Sequence, residues 1–186
     1  MRIYLENERI IWITGLSSSG KTTLAREIQR LLKTKNREAI LLDGDDLREV
    51  ILGPSKDQNQ QFDGTKREEL AFIYCRLAKL IAEQGCWVIV STISMRKSVF
   101  DWNRENLPNY FEILIDLPLQ MLEARDPKNI YADFKTGRRK NVIGMDINAE
   151  WPSQPDLVFN ENNLQLPAQM AEFVVNIIEP ELSGSI

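Results

Sequence analysis

Apolar residues recur along this chain in two alternating rhythms. Short apolar runs, Ile10-Ile11-Trp12-Ile13, Ala39-Ile40-Leu41-Leu42-Asp43, Trp87-Val88-Ile89-Val90-Ser91 and Phe111-Glu112-Ile113-Leu114-Ile115-Asp116, read as strands, with Leu157-Val158-Phe159 as a short fifth. The third run is apolar on both faces, as at the centre of a parallel sheet. Between the runs the spacing turns helical. Leu24, Ile28, Leu31 and Leu32 follow the first run. Leu70, Ile73, Tyr74, Leu77, Leu80 and Ile81 line one face over 67–83, which Gly85 ends. A polar helix is expected over 97–105, another opening at Pro118, and a closing amphipathic one over 166–178. Regular strand–helix alternation predicts an α/β fold, a five-stranded parallel sheet with helices on both faces. Right-handed crossovers then place a ligand site at the carboxyl ends of the strands.

At the end of the first strand the chain reads Gly15-Leu16-Ser17-Ser18-Ser19-Gly20-Lys21-Thr22, the complete G-x-x-x-x-G-K-[ST] pattern. Strand before and helix after supply the context this motif needs. Its glycines let the backbone curl round a phosphate chain, and the new helix presents free N–H groups and its positive end. Lys21 is expected to reach the β- and γ-phosphates and Thr22 to ligate Mg²⁺. The fold class is thus that of the P-loop nucleoside-triphosphate hydrolases, with ATP and Mg²⁺ as the expected cofactors.

One segment interrupts the rhythm. Residues 126–146 are polar, carry Lys128, Lys135, Arg138, Arg139 and Lys140, and include Gly137 and Gly144. A mobile lid over a phosphorylated ligand is the functional reading, because long loops in compact domains usually carry function. No linker or repeat divides the chain, so 1–186 is expected to form one domain.

Composition narrows the chemistry. The 186 residues carry a net charge of −4, so any anion site is a local cluster and nucleic acid is not an expected partner. No run reaches membrane-span length and no signal-peptide core opens the chain, which points to a cytoplasmic protein. There is no histidine, which excludes a Ser-His-Asp triad, His-ligated zinc and a His base. Cys75 and Cys86 lack metal or redox spacing and read as buried thiols. Asp43 and Asp45 leave the second strand at its carboxyl end, where carboxylates can hold a metal's water shell or accept a proton from an attacking hydroxyl. They share a parity, so both point into the site if the extended backbone continues through Gly44. Arg48 and Arg67, each near the start of a helix at this edge, suit bidentate grip on an acceptor's anionic group.

Gly15 to Thr23 (GLSSSGKTT), Leu42 to Arg48 (LDGDDLR), Ile93-Ser94 and Arg125-Asp126-Pro127-Lys128-Asn129-Ile130-Tyr131 together resemble the successive signatures of the adenylylsulfate kinases. Gly144, Asp146, Glu150, Pro152 and Pro155 fall at the spacing of that family's lid and exit segment, so the resemblance runs to about Phe159. It implies transfer of the γ-phosphate of ATP to the 3′-hydroxyl of adenylylsulfate. It implies Lys21, Asp43 and Asp45 as catalytic residues, with Thr22 and Asp43 at the metal. Gly15, Ser17, Ser18, Ser19, Gly20, Lys21, Thr22, Thr23 and Arg125 would bind the nucleotide cofactor. Arg48, Phe62, Arg67, Ile93, Ser94 and Lys140 would bind the acceptor. A homodimer is the assembly to look for.

The chain departs from the pattern mostly on the acceptor side. Lys66 replaces the aspartate before Arg67, Leu70 an asparagine, and Phe72 and Ile73 two arginines. The F-I-S-P motif reads Thr92-Ile93-Ser94-Met95, and Lys97 and Phe100 stand at further arginine positions, though Arg104 remains. Val142-Ile143-Gly144 stands for Phe-Thr-Gly, removing the lid aromatic that would stack on the acceptor adenine. The donor half is kept and the acceptor half altered. Adenylylsulfate is the leading acceptor, and restoring Phe at 142 is expected to tighten it. The alternatives are another nucleotide's 3′-hydroxyl, such as cytidine diphosphoramidate in capsule assembly, a different small-metabolite kinase, or a nucleotide-binding switch.

Overall fold

The structure, a computed structural model, describes residues 8–53 and 64–179. The order is β1 (Ile10–Gly15), α1 (Lys21–Thr34), β2 (Ala39–Asp43), α2 (Gly44–Leu52), α3 (Gly64–Ala82), β3 (Trp87–Ser91), α4 (Lys97–Asn106), β4 (Tyr110–Asp116), α5 (Leu119–Arg125), α6 (Ile130–Lys135), β5 (Leu157–Asn160) and α7 (Pro167–Ile178). The five strands form one parallel sheet in the order β2-β3-β1-β4-β5. β1 is central, with β3 on one side and β4 on the other. The strand order therefore diverges at the end of β1, where doubly wound sheets open their ligand crevice.

Period-two alternation in β1 builds a core on each face of the sheet. Ile11 and Ile13 pack with Leu24, Ile28 and Leu32 of α1 and Met170, Val174 and Ile178 of α7. Ile10 and Trp12 pack on the other side with Leu70, Tyr74, Cys75 and Ala78 of α3 and Val99 of α4. Both residues of each pair are wholly buried, which anchors β1 and hence the loop that follows it. Cys75 lies in the second core, where burial pushes its thiol up to about 12. Cys86 is only half-buried, and both are free thiols.

Arg104 is part of the scaffold at the far end of the sheet. It donates to Asp156 at 2.8 Å and to the buried Glu112 at 3.1 Å, and lies over the Tyr110 ring. These contacts tie α4 to the start of β4 and to the chain entering β5. Strand carboxyl ends carry the ligand crevice, so this arginine stands apart from it.

The segment 126–146 is more ordered than a structureless loop. Asp126 accepts from the backbone N–H groups of Ile130, Tyr131 and Ala132, which caps α6. Farther on, Asp146 accepts from the N–H groups of Asn141 and Val142, and Ile143 bridges to Ile147. Val142 and Ile143 are buried in the core. Pure polarity of sequence hid this, because short-range carboxylate caps supply the order that apolar periodicity does not.

Among the described residues no helix is long and apolar enough to cross a membrane.

Candidate functional site

The ends of β1, β2 and β3 lie level, with Asp43 in register with Ser91 and Ser91 with Ile13. This registry gathers the loop 15–20, Asp43 and the chain after β3 into one crevice.

Two glycines shape the loop. Gly15 has φ +148°, and a Cβ there would come within 2.4 Å of the Ile115 carbonyl oxygen on β4. Gly20 has φ +100° and caps α1 in the left-handed region that only glycine adopts at little cost. Ser18 also has a positive φ, of 64°. Tyr131 of α6 is buried and donates its hydroxyl to the Ser17 carbonyl at 3.0 Å, bracing the loop from outside. Ser19 is buried, Ser17 half-buried and Thr23 exposed. Arg125 closes α5 as an exposed residue, in a shallow cleft with Asp126, Asn129 and Tyr131.

Lys21 is 9% exposed and turns its ammonium onto the loop, donating to the Leu16 carbonyl at 2.7 Å. Burial lowers its pKa from 10.5 to about 8, against the pull of Asp45 and Asp43. Thr22, the next residue, donates its hydroxyl to Asp43 Oδ2 at 2.7 Å and lies 3.4 Å from the Ser91 hydroxyl. Ser91 was not legible as a site residue, since it reads only as the polar end of an apolar strand.

The two aspartates part company. Asp43 is buried and its Oδ1 accepts from the Asp45 N–H at 3.0 Å, which makes it the N-cap of α2. Helix therefore starts at Gly44, and the extended backbone expected through that residue is not formed. Asp45 instead lies exposed on the first turn of α2, paired with Arg48 at 3.0 Å and with Lys128 from the segment after α5. Partial burial would raise the Asp45 pKa, but the hydrogen bond and charge of Lys128, then Arg48, outweigh it and hold the carboxyl below its ordinary range. Lys128 thus joins the crevice, a residue of the 125–131 signature to which the sequence assigns no role of its own. A Cβ on Gly44 would come within 3.0 Å of the Thr92 hydroxyl, so glycine lets α2 start hard against the chain after β3.

That chain carries Ile93 and Ser94, both half-buried. Thr14 donates to the Ile93 carbonyl at 2.6 Å, and the Thr92 and Ser94 hydroxyls lie 3.0 Å apart. Glu150 accepts from the Lys97 N–H at 2.7 Å and pairs with Arg96 at 3.3 Å, which ties the segment after 146 to the start of α4. Arg67, on the first turns of α3, donates to the Asn141 carbonyl at 2.7 Å. Its guanidinium pKa is lowered by burial first and then by the charges of Arg48 and Arg139, with Asp146 pulling the other way and Arg96 adding to the lowering, so arginine charge predominates on this side. Lys140 is exposed beside them. Phe62 lies outside the described residues.

The segment 141–144 rests directly on the phosphate loop. Gly144 has φ +88°, and a Cβ there would come within 2.9 Å of the Leu16 side chain.

This arrangement, a glycine-shaped anion loop, a buried lysine, a threonine–aspartate pair and an arginine-lined second half, is that of a phosphoryl-transfer site. The adenylylsulphate kinase family model matches residues 7–160. The chain belongs to the adenylylsulphate kinase family. It is a phosphotransferase. A cytidine diphosphoramidate kinase of Campylobacter jejuni is 41% identical over 162 residues, 86% of this chain and 91% of that protein. An adenylyl-sulfate kinase of Pseudomonas aeruginosa is 35% identical over 153 residues, 81% of this chain and 76% of that protein. The Mycobacterium tuberculosis APS kinase CysC, solved with AMPPNP and APS, superposes with a TM-score of 0.83 at 30% identity, covering 93% of this chain and 98% of that one.

Proposed function

We propose that this family member transfers the γ-phosphate of ATP to the 3′-hydroxyl of a nucleotide whose 5′ end carries a short anionic group, with cytidine diphosphoramidate as the acceptor. The reaction forms a bond from the acceptor oxygen to the γ-phosphorus and breaks the β–γ bridge, so ADP leaves and the hydroxyl proton must be taken up. Lys21 and the N–H groups of Gly15 to Thr22 hold the donor phosphates. Thr22 and Asp43 present paired hard oxygens, the donor set that suits Mg²⁺ bound through few protein ligands. When bound, Mg²⁺ supplies charge neutralisation on the transferred phosphoryl group. Asp45 faces the acceptor side, where it orients the hydroxyl and takes its proton, and Arg48 and Arg67 hold the anionic 5′ group. The segment 126–146 serves as a cover over the crevice, seated on the phosphate loop where Gly144 meets Leu16.

The observation that carries the acceptor is Val142. It stands where the resemblance places an adenine-stacking aromatic, and it is turned into the core at 5% exposure. An adenine platform is missing at that point, while the anion-binding arginines are kept. The 41% identity to a cytidine diphosphoramidate kinase, against 35% to the Pseudomonas enzyme, supports the same choice. Adenylylsulfate is the second reading, favoured by the family match and by the retained Ile93-Ser94 and Lys140.

Coupled ADP release with both acceptors tests the choice. Cytidine diphosphoramidate should show the higher kcat/KM by at least tenfold. Adenylylsulfate turned over with low-micromolar KM, and no activity on the cytidine compound, would reverse the assignment.

A further inference from the structure

Arg138 and Arg139 are adjacent, and their guanidinium groups have opposite fates. Arg138 is exposed and paired, its Nε donating to Asp133 at 2.9 Å and its Nη2 pairing with the same carboxylate at 2.8 Å. Arg139 is half-buried, and its Nε is shut from solvent with no hydrogen-bond partner among the described residues. No carboxylate pairs with it among those residues. A buried donor left without a partner is costly, more so on a charged group, so such a group is rarely retained without a ligand to meet it.

Its backbone is not free to swing away. The Arg139 N–H donates to the Asp133 carbonyl at 3.1 Å, tying it to the end of α6. Two residues on, the Asn141 carbonyl accepts from Arg67 at 2.7 Å, and Asp146 holds the Asn141 and Val142 N–H groups. Arg139 is therefore held on a braced turn beside Arg67, on the acceptor side of the crevice. Its charge bears on Arg67 along with those of Arg48 and Arg96. Arg96 is paired with Glu150 and Arg48 with Asp45, whereas Arg139 has no anion of its own. Among the described residues, Asp146 is the carboxylate whose charge bears on Arg67 against these arginines, so the local excess of positive charge suits an external anion.

We propose that Arg139 is an acceptor-specificity residue whose guanidinium meets the anionic 5′ group of the nucleotide acceptor beside Arg67. The inference rests on the kinase reading above and extends it, since Arg139 lies outside the residues that the family pattern assigns to the acceptor. A planar guanidinium can hold two acceptor oxygens at once, which suits a terminal phosphorus or sulfur group and not a ribose hydroxyl.

The test is steady-state kinetics of the full chain and of R139M and R139K, with cytidine diphosphoramidate and with adenylylsulfate. Each variant is first checked for wild-type melting temperature. R139M should raise the KM of the acceptor the wild type prefers by tenfold or more, leave the KM for ATP within twofold, and bind AMPPNP as the wild type does. R139K should recover part of the loss. An acceptor KM within twofold of wild type in a folded R139M, with the wild type active, overturns this role and leaves the kinase reading standing. A parallel rise in the ATP KM also overturns it, since that marks a general disturbance of the lid. If the wild type turns over neither acceptor, the acceptor reading and this inference fall together.

Discussion

The Thr22 hydroxyl donates to Asp43 Oδ2 at 2.7 Å, while the other oxygen of the same carboxylate caps α2 by accepting the Asp45 N–H at 3.0 Å. One buried side chain thus joins the first turn of α1 to the start of α2. The two tasks can be separated by substitution. Asn is as good an N-cap as Asp, and Ala is not. Asp43→Asn should keep stability within about 0.5 kcal/mol and Asp43→Ala should lose about 1–2 kcal/mol. Both should lose turnover by at least two orders of magnitude and require more Mg²⁺ for half-maximal rate, if the carboxylate serves the metal. Denaturant melts and Mg²⁺ titrations of ADP release read the two effects apart. An Asp43→Asn enzyme with wild-type Mg²⁺ dependence would limit Asp43 to capping.

Lys21 carries its charge into a buried loop, and its pKa falls from 10.5 to about 8. The sign follows from proton counting. Between pH 8 and 10.5 the unfolded chain keeps a proton that the folded chain has lost, so stability rises with pH across that window. Below pH 8 both states are protonated, and the folded state bears the full cost of burying the ammonium. Lys21→Met should therefore stabilise the ligand-free protein at pH 7, by up to about 3 kcal/mol if nothing relaxes, with the gain fading toward pH 10.5. The same variant should lose at least two orders of magnitude in turnover, because charge stabilisation dominates phosphoryl transfer. Thermal melts of both proteins from pH 6 to 10 check the first half. Turnover above about a tenth of wild type would remove Lys21 from the chemistry.

Asp45 is exposed and paired with Arg48 and Lys128. Surface pairs are worth only about 0–1 kcal/mol, so Asp45→Asn should leave the melting temperature nearly unchanged. It should abolish phosphoryl transfer while AMPPNP still binds. Its carboxyl is held below the ordinary range, so Asp45 should contribute no acidic limb to the kcat profile above pH 5. Lys128→Met should bring such a limb upward. A profile indifferent to Lys128, together with an active Asp45→Asn enzyme, would shift the proton-handling role elsewhere.

Val142→Phe separates packing from recognition. Opposite an open pocket a phenylalanine would add a stacking surface for adenine, which is what the family pattern suggests. Val142 is instead buried in the core that holds Leu16 and Ile143. Extra volume there should cost about 1–3 kcal/mol and shift the phosphate loop it rests upon. The expected result is lower stability, a raised KM for ATP and no gain for adenylylsulfate. A stable variant with a selectively lowered adenylylsulfate KM would show that the side chain can turn out to the acceptor.

What local chemistry could specify was legible along the chain. Gly20, Lys21 and Thr22 shape the phosphate loop through a positive φ and a helix start, both sequence-local, whereas the need for glycine at 15 also comes from the Ile115 carbonyl on β4. The five strands and their parallel pairing follow from apolar runs alternating with helical spacing, since a buried parallel sheet leaves few other arrangements. The residues at 43–48 and 126–146 were different. Shared parity suggested that Asp43 and Asp45 act side by side, but a capping hydrogen bond competes with extension and wins, turning Asp45 out toward Lys128. Polarity suggested a lid at 126–146 without showing its local order, which the carboxylates of Asp126 and Asp146 supply and which buries Val142. Arg104 kept its place in the family pattern, yet packing put it with Glu112 and Asp156 at the far end of the sheet. Pairing of Ser91 with Thr22, of Lys128 with Asp45 and of Arg67 with Asn141 joins residues tens of positions apart. Such contacts depend on strand order and register, which no local rhythm encodes, because they are set only when both faces of the sheet close their cores.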